Sequence, residues 1–174
     1  MPAEADAALP GYRAVLYPSF VAAYPLGDAP ALIRLAREDA GLTQAELARA
    51  AGTTQSVISA VESGKRPVST AMLERLLRAA RMRPSLPLER YAEEIVHAAR
   101  ARHLDNVRAF GSVLRGEDDE TSDVDLVVTP GPDAGLLAIL AFAAAAERIL
   151  GFPVDVLTDA EARRAGVDRD AVPL

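Results

Sequence analysis

Residues 109–128 read AFGSVLRGEDDETSDVDLVV, and this stretch decides the fold of the second half of the chain. A short strand, Val107 to Phe110, is predicted to end at Gly111-Ser112. Ten residues separate that pair from Asp123-Val124-Asp125. The aspartates lead into the apolar run Leu126-Val127-Val128, which is typical of a buried strand. We therefore expect an α/β unit with a small mixed sheet in this half of the chain.

The two aspartates of this stretch are spaced to act together. Residues i and i+2 of a strand point to one face of the sheet, so Asp123 and Asp125 are expected to converge. A third predicted strand, residues 153–157, carries Asp155 and can lie alongside. Buried carboxylates repel one another unless a cation lies between them, and carboxylate oxygens are ligands that Mg²⁺ prefers. The spacing predicts a catalytic magnesium site of all three aspartates, where two ions can clamp an in-line displacement at phosphorus.

Gly111 and Ser112 are the candidates for holding substrate phosphates. Glycine lets the backbone approach a ligand closely, and the N-terminal amides of the short helix expected next attract phosphate. The Ser112 hydroxyl adds a donor, and Arg115, one turn later, can neutralise phosphate charge. The acidic run at residues 117–120 is expected to be a solvated loop.

Residues 28–83 carry the signals of four short helices. Leu32, Leu35 and Ala36 form the apolar stripe of the first helix. The second begins with a capping box, in which Thr43 is followed by a glutamate three residues later. Thr54 is expected at the N-cap of a third helix that runs to about Ser63. Glycines close the first and third helices and supply the turn between the second and third.

Two short helices joined by a turn that contains glycine are typical of a helix-turn-helix unit. The second helix of such a unit presents its N-terminal residues to base edges in the major groove of DNA. Gln55, Ser56 and Ser59 are expected at the bases, and Lys65 and Arg66 at phosphates. The full candidate DNA-binding set is Gln44, Thr54, Gln55, Ser56, Ser59, Lys65 and Arg66.

The rest of the chain divides around these two regions. Residues 1–27 are expected to be a tail without an assigned role, and residues 84–87 a short, stiff linker rich in proline. Residues 88–174 form the second predicted domain, which opens with a helix over 88–102. The apolar run 134–146 is too short to span a membrane and is expected to be a buried helix. With no export signal in the sequence, a cytoplasmic protein is expected.

Charge and cysteine content narrow the function classes. The net charge of −6 divides into about +3 for residues 28–83 and −8 for residues 84–174. A basic segment beside an acidic one indicates two different partners, phosphates for the first and divalent cations for the second. The absence of cysteine excludes disulfide scaffolds, thiolate zinc sites and a cysteine nucleophile.

Two stretches of sequence resemble known families. LTQAELARAAGTTQSVISAVESGKR, at residues 42–66, closely resembles the Xre/Cro-type helix-turn-helix family. AFGSVLRGEDDETSDVDLVV, with PVDVLT at residues 153–158 and the closing ARRAGVDRDAVPL, resembles the minimal nucleotidyltransferase (MNT) branch of the DNA polymerase β-like superfamily. Val113 departs from the pattern, because many members have arginine directly after Gly-Ser. The resemblance implies two domains, an all-α helix-turn-helix bundle and an α/β polymerase β-like domain at residues 88–174.

The resemblance also implies a role. Members of the MNT branch are antitoxins paired with HEPN-type ribonuclease toxins in type VII-like toxin–antitoxin systems, and they transfer AMP from ATP to a tyrosine of the toxin. Carried over, Gly111 and Ser112 would hold the ATP phosphates and Asp123 and Asp125 would bind two Mg²⁺ ions. Asp155 would complete the metal site and help to activate the tyrosine hydroxyl. The helix-turn-helix would repress the protein's own operon, either as a homodimer on operator DNA or as a hetero-oligomer with the toxin.

Three alternatives stay open at the level of sequence. A DNA-binding antitoxin could sequester its toxin by contact alone, with the nucleotidyl site idle. A small-molecule nucleotidyltransferase is disfavoured, because only 19 residues follow Asp155 and a separate acceptor-binding domain needs more. Self-modification of Tyr12, Tyr17 or Tyr24 is the third alternative.

Overall fold

The computed structural model describes residues 24–174, so the predicted tail is described only in its last four residues. The first half is helical and contains α1 (Ala29–Asp39), α2 (Gln44–Ala50), α3 (Gln55–Glu62) and α4 (Thr70–Ala79). Two further helices, α5 (Ser85–Arg90) and α6 (Ala92–Arg100), lead into the second half. That half contains β1 (Leu104–Phe110), α7 (Ser112–Arg115), β2 (Val124–Pro130), α8 (Leu136–Leu150), β3 (Val154–Thr158), α9 (Asp159–Ala165) and β4 (Val172–Pro173).

Local capping signals fix the helices of the first half. The Thr43 hydroxyl accepts from the Glu46 backbone N–H, and the Glu46 carboxylate accepts from the Thr43 N–H, which confirms the predicted capping box. Thr54 stands at the N-cap of α3, but its hydroxyl pairs with the Ser56 hydroxyl instead of a backbone amide. Thr54 is thus the N-cap residue as predicted, although its side chain makes no hydrogen bond to the backbone of α3.

The packed face of α1 differs slightly from the predicted stripe. Leu32, Ile33 and Ala36 are buried, whereas Leu35 is 37% exposed. Successive helical residues are separated by about 100°, so a face centred between Leu32 and Ile33 leaves Leu35 at its edge. These residues belong to one continuous core that also contains the buried side chains of the second half.

The predicted linker is part of a helix. Leu86, Pro87 and Leu88 are buried in α5, and the long helix predicted over 88–102 is interrupted at Tyr91, between α5 and α6. Pro87 lies in the first turn of α5, where a backbone N–H has no partner within the helix, so proline is tolerated there. Residues 84–87 thus pack against both halves of the chain instead of spacing them apart.

The second half is an α/β unit with a mixed four-stranded sheet in the order β3-β2-β1-β4, which confirms the predicted fold class. β1 and β2 are antiparallel, while β2 and β3 are parallel and joined by α8. β4 pairs with β1 at Arg108 and Ala109, and the sequence analysis did not predict it. The alternate residues Val124, Leu126 and Val128 are buried on one face of β2.

The helix predicted as buried, α8, buries only one of its sides. Phe142, Ala146 and Leu150 are fully buried, but Leu137 is 82% exposed and Leu136 and Leu140 are more than half exposed. A helix that covers one face of a single sheet can bury only a stripe of its surface, which an uninterrupted apolar run does not reveal. Within residues 24–174, no helix is long and apolar enough to cross a membrane.

Candidate active site and DNA-contacting face

The turn between β1 and α7 brings the backbone of Gly111 against the carboxylate of Asp125. Gly111 adopts φ +79° and ψ −151°, a conformation that side-chain-bearing residues rarely adopt. A Cβ atom at this position would lie 2.3 Å from Asp125 Oδ2. Glycine is therefore required here both for the backbone angle and for the close approach. Ser112 follows directly as the first residue of α7.

Strand register brings the aspartates of the second half to one face. Asp125 on β2 pairs with Asp155 on β3 in parallel register, and with Phe110 on β1 in antiparallel register. Directly paired residues point to the same face of a sheet. Asp123 stands just before the first residue of β2, close enough for its charge to act on Asp125. Asp123 and Asp125 are half-buried, whereas Asp155 is exposed on a strand at the edge of the sheet.

The electrostatics of this face are unfavourable without a cation. Burial, followed by the charges of Asp123 and Asp155, raises the pKa of Asp125 to about 6, and Arg115 opposes that rise. Arg115 is exposed and also pairs with Glu117, Nε to Oε2 at 2.6 Å. Like charges in a partly desolvated site favour either protonation or a bound cation.

The donor set of this face suits Mg²⁺, whose preferred ligands are carboxylate oxygens and substrate phosphates. In the described part of the chain, no three acidic, His or Cys side chains are already gathered as a metal-binding group. Asp125 is paired with Asp155 and feels the charge of Asp123, and a cation between these carboxylates would relieve the repulsion at Asp125. Their assignment as metal ligands stays a prediction.

The acidic run at residues 117–120 does not behave as a uniformly solvated loop. Asp118 is buried and accepts hydrogen bonds from the Arg83 guanidinium and the Ser85 backbone N–H, so the expectation of a solvated loop was wrong for this residue. The Asp119 carboxylate closes a local turn by accepting from Thr121. Only Asp118 of the run is buried, and nothing in its local sequence separates it from its neighbours.

In the helical half, a chain of side-chain hydrogen bonds fixes the N-terminal end of α3. Gln55 Nε2 donates to Gln44 Oε1 at 2.9 Å, and Gln44 Nε2 donates to Glu62 Oε2 at 3.0 Å. The Glu62 side chain is 2% exposed and accepts twice from Arg37. Burial alone would raise the pKa of Glu62, but the hydrogen bonds from Arg37 and Gln44 outweigh it and lower that pKa. The result is a carboxylate that stays ionised.

The other residues predicted to contact DNA lie around that network. Thr54, Gln55, Ser56, Lys65 and Arg66 are exposed, and Ser59 is half-buried. Gln44 is half-buried and touches Gln55. The predicted base contacts thus begin at the N-terminal end of α3, whereas Lys65 and Arg66 follow its C-terminal end. The contacts themselves remain predictions.

Comparisons with known proteins agree with this division. Residues 33–85 match the family model described as helix-turn-helix, and residues 92–172 match the model described as nucleotidyltransferase domain. The chain joins a helix-turn-helix domain to a nucleotidyltransferase domain.

Two similar proteins carry related descriptions. A protein of Methanocaldococcus jannaschii named "putative protein adenylyltransferase" is 45% identical over 49 residues, which are 28% of this chain and 53% of that protein. The chain thus spans about half the length of this curated relative. A solved structure titled "Structure of putative minimal nucleotidyltransferase" is 33% identical, with a TM-score of 0.47. The match covers 52% of this chain and 95% of that one.

Of the three tyrosines considered for self-modification, Tyr24 lies within residues 24–174, and it is buried. The Tyr24 ring stacks on Tyr91 with ring centroids 6.0 Å apart, and its hydroxyl donates to the Leu150 carbonyl. Burial, and then the neighbouring Tyr91, raise the pKa of Tyr24, so less of the nucleophilic phenolate forms at neutral pH. Tyr12 and Tyr17 lie outside the described residues.

We expect Gly111→Ala to destabilise the nucleotidyltransferase domain by about 2–4 kcal/mol, because the new Cβ adds a clash with Asp125 to the backbone strain. Gly116→Ala is the matched control, since Gly116 has φ +68° but nothing within 4 Å of the added atom. The control should cost only about 1–2 kcal/mol. Urea unfolding of both variants measures the difference, and equal losses would show that the Asp125 contact imposes no constraint.

We expect Asp125→Asn to stabilise the protein at pH 8 in the presence of a chelator but not at pH 4. Because the pKa of Asp125 is raised to about 6, the folded protein keeps this proton longer than the unfolded chain does. The associated stability is present below about pH 4 and is lost as the pH rises through about 6. Since the carboxyl is about half exposed, solvent screening limits the gain at pH 8 to about 1 kcal/mol.

Melting temperatures measured across this pH range test that expectation. Asp133→Asn, which neutralises an exposed carboxylate in the loop before α8, is the control and should show no comparable gain. A constant difference between Asp125→Asn and the unchanged protein from pH 4 to pH 8 would contradict the proposed repulsion.

Proposed function

We propose that this protein is an antitoxin that transfers AMP from ATP to a tyrosine of a HEPN-type ribonuclease toxin and represses its own operon through the helix-turn-helix domain. The observation that carries the catalytic part is the placement of Asp125. Its carboxylate touches the Gly111 turn on one side and faces Asp155 on the neighbouring strand. A phosphate held at the turn would therefore lie beside the carboxylates.

Different residues of this site would bind the phosphates and the metal ion. The Gly111 backbone and the Ser112 hydroxyl would hold the ATP phosphates, with Arg115 offsetting their charge. Asp123, Asp125 and Asp155 would hold Mg²⁺, which, when bound, neutralises the charge that develops on the phosphate oxygens. Positioning and charge neutralisation supply most of the acceleration in phosphoryl transfer.

The bond changes follow from that arrangement. The tyrosine oxygen of the acceptor attacks the α-phosphorus of ATP, one P–O bond forms, and the bond to the leaving pyrophosphate breaks with its electron pair. The hydroxyl proton passes to a carboxylate, for which Asp155 is the candidate. Asp155 is exposed on the edge strand β3, so a large acceptor such as a protein can reach it.

A protein acceptor is also favoured by the relative from M. jannaschii, whose name calls it a protein adenylyltransferase. The fused helix-turn-helix domain supports a regulatory role on DNA, because its oriented Gln55 can pair with adenine in the major groove. Operator binding as a homodimer, or as a hetero-oligomer with the toxin, completes the proposal. A DNA-binding antitoxin that works only by sequestration is the alternative that this domain favours.

Intact-mass spectrometry tests the transfer. The protein encoded by the neighbouring gene is mixed with this chain, ATP and Mg²⁺, and a gain of one or more AMP groups is expected. Asp123→Asn/Asp125→Asn should abolish the gain, because the charge that holds the cation is lost, whereas Asp133→Asn should retain it. A stable complex without added mass would reject the transfer and support sequestration.

Salt titrations separate the predicted DNA contacts. On DNA from upstream of its own gene, Lys65→Ala should weaken binding on all sequences and lower the slope of log affinity against log salt by about 1. Gln55→Ala should cost about 1–3 kcal/mol on the preferred sequence alone and leave the slope unchanged. If the two variants behave alike, the assignment of base and phosphate contacts is wrong.

A further inference from the structure

The segment between the two halves of the nucleotidyl-transfer site is held by the helix-turn-helix domain. We name residues 116–122 the site loop, because they join Ser112–Arg115 to Asp123–Asp125. Most of the site loop is exposed, but the Asp118 side chain is 0% exposed. A buried carboxylate needs hydrogen-bond donors and a compensating charge.

Arg83 supplies that charge from the other domain. Its Nη1 lies 2.8 Å from Asp118 Oδ1, and the Ser85 backbone N–H donates to Asp118 Oδ2 at 2.8 Å. Arg83 lies within the helix-turn-helix match, and Asp118 within the nucleotidyltransferase match. The pair therefore crosses from one domain to the other.

The guanidinium of Arg83 is itself fixed by α1. Nε and Nη2 donate to the two carboxylate oxygens of Asp39 at 2.8 and 2.7 Å, a bidentate geometry that fixes the plane of the group. These hydrogen bonds lower the pKa of Asp39, so this carboxylate stays charged through the neutral range. One guanidinium thus joins the C-terminal end of α1 to the site loop.

We propose that Arg83 is a positioning residue for nucleotidyl transfer, which sets the distance between the phosphate-binding turn and the aspartates by anchoring Asp118. The inference rests on the proposed function, because it assigns regulation to the same site. A shift of the site loop would move Ser112 relative to Asp125, and small misplacements at a reacting centre are costly. By reciprocity, a nucleotide bound at the site would in turn stabilise the position of the helix-turn-helix domain.

A second ion pair offers a matched control. Arg81 Nε lies 3.1 Å from Glu120 Oε1 and also connects the helix-turn-helix domain to the site loop. Both side chains are exposed, at 77% and 40%, so solvent screens their attraction. Arg81→Gln therefore makes the same chemical change as Arg83→Gln at the same junction between the helix-turn-helix domain and the site loop, but it leaves no buried charge unpaired.

Calorimetric titration tests the proposal by measuring the Kd and stoichiometry of binding of AMPCPP, a non-hydrolysable analogue of ATP, in the presence of Mg²⁺. The titrations are done well below the melting temperature of each variant. Arg83→Gln should weaken the Kd roughly tenfold at unchanged stoichiometry, and Arg81→Gln less than twofold. Arg83→Lys keeps the charge but loses the bidentate geometry of the guanidinium, so its Kd should lie between those of the other two variants. A merely destabilised protein would instead lose stoichiometry and keep its Kd. An unchanged Kd for Arg83→Gln would overturn the inference.

The transfer assay separates this inference from the proposed function. If the unchanged protein binds AMPCPP but modifies no partner, the proposed function fails while the Kd shift still supports the role of Arg83. If the unchanged protein binds no AMPCPP, the proposed function and the inference about Arg83 both fail.

If Arg83→Gln does not fold, hydrogen–deuterium exchange tests whether Arg83 couples the helix-turn-helix domain to the nucleotide site. AMPCPP should protect residues 36–42 of the helix-turn-helix domain in the unchanged protein, and that protection should be weaker in Arg83→Lys. Protection confined to residues 92–172 in the unchanged protein would overturn the inference.

Discussion

The contact between the Asp125 carboxylate and the bare backbone of Gly111 is the constraint on which the rest of the site depends. A side chain at position 111 would occupy the space of a carboxylate oxygen, so without glycine there the Asp125 carboxylate would have to turn away. The same closeness removes solvent from Asp125 while Asp123 and Asp155 add like charge. The folded protein therefore holds an arrangement that is unfavourable for an ionised Asp125, and a bound cation would relieve it. Any ligand that binds only the folded state raises the free energy of unfolding.

The acidic residues of the chain do not form one electrostatic class. Asp125 is destabilised by its neighbours, whereas Asp118 is buried against a guanidinium and a backbone amide. Glu161 caps α9, where it accepts from the Thr158 backbone N–H and hydroxyl, which lower its pKa. Glu62 accepts from the side chain of Gln44, a residue predicted to contact DNA. The partner that each carboxylate meets decides whether it binds a ligand, joins two domains or caps a helix, and net charge reports none of these differences.

Sequence reasoning succeeded where the signal is local. The capping box at Thr43 and the β2–β3 pairing that sets Asp125 beside Asp155 follow from spacings of a few residues or from strand patterning. It failed where tertiary packing decides. Asp118 and Arg83 are 35 residues apart, and no periodicity marks which member of an acidic run will be buried. The exposed Leu137 has the same cause, because an apolar run gives no information on which side of a helix meets the sheet.

The C-terminal end of α1 connects the two functional regions of the molecule. Arg37 holds Glu62, which orients Gln44 and, through it, Gln55 at the start of α3. Two residues later, Asp39 holds the guanidinium that reaches the nucleotidyltransferase domain. Both sets of contacts are charge-assisted hydrogen bonds of 2.6–3.1 Å, which tolerate little displacement. A rigid helix that carries both anchors cannot shift at one without straining the other. The orientation of Gln55, which is predicted to contact DNA, and the position of the site loop are therefore set by the same turn of α1.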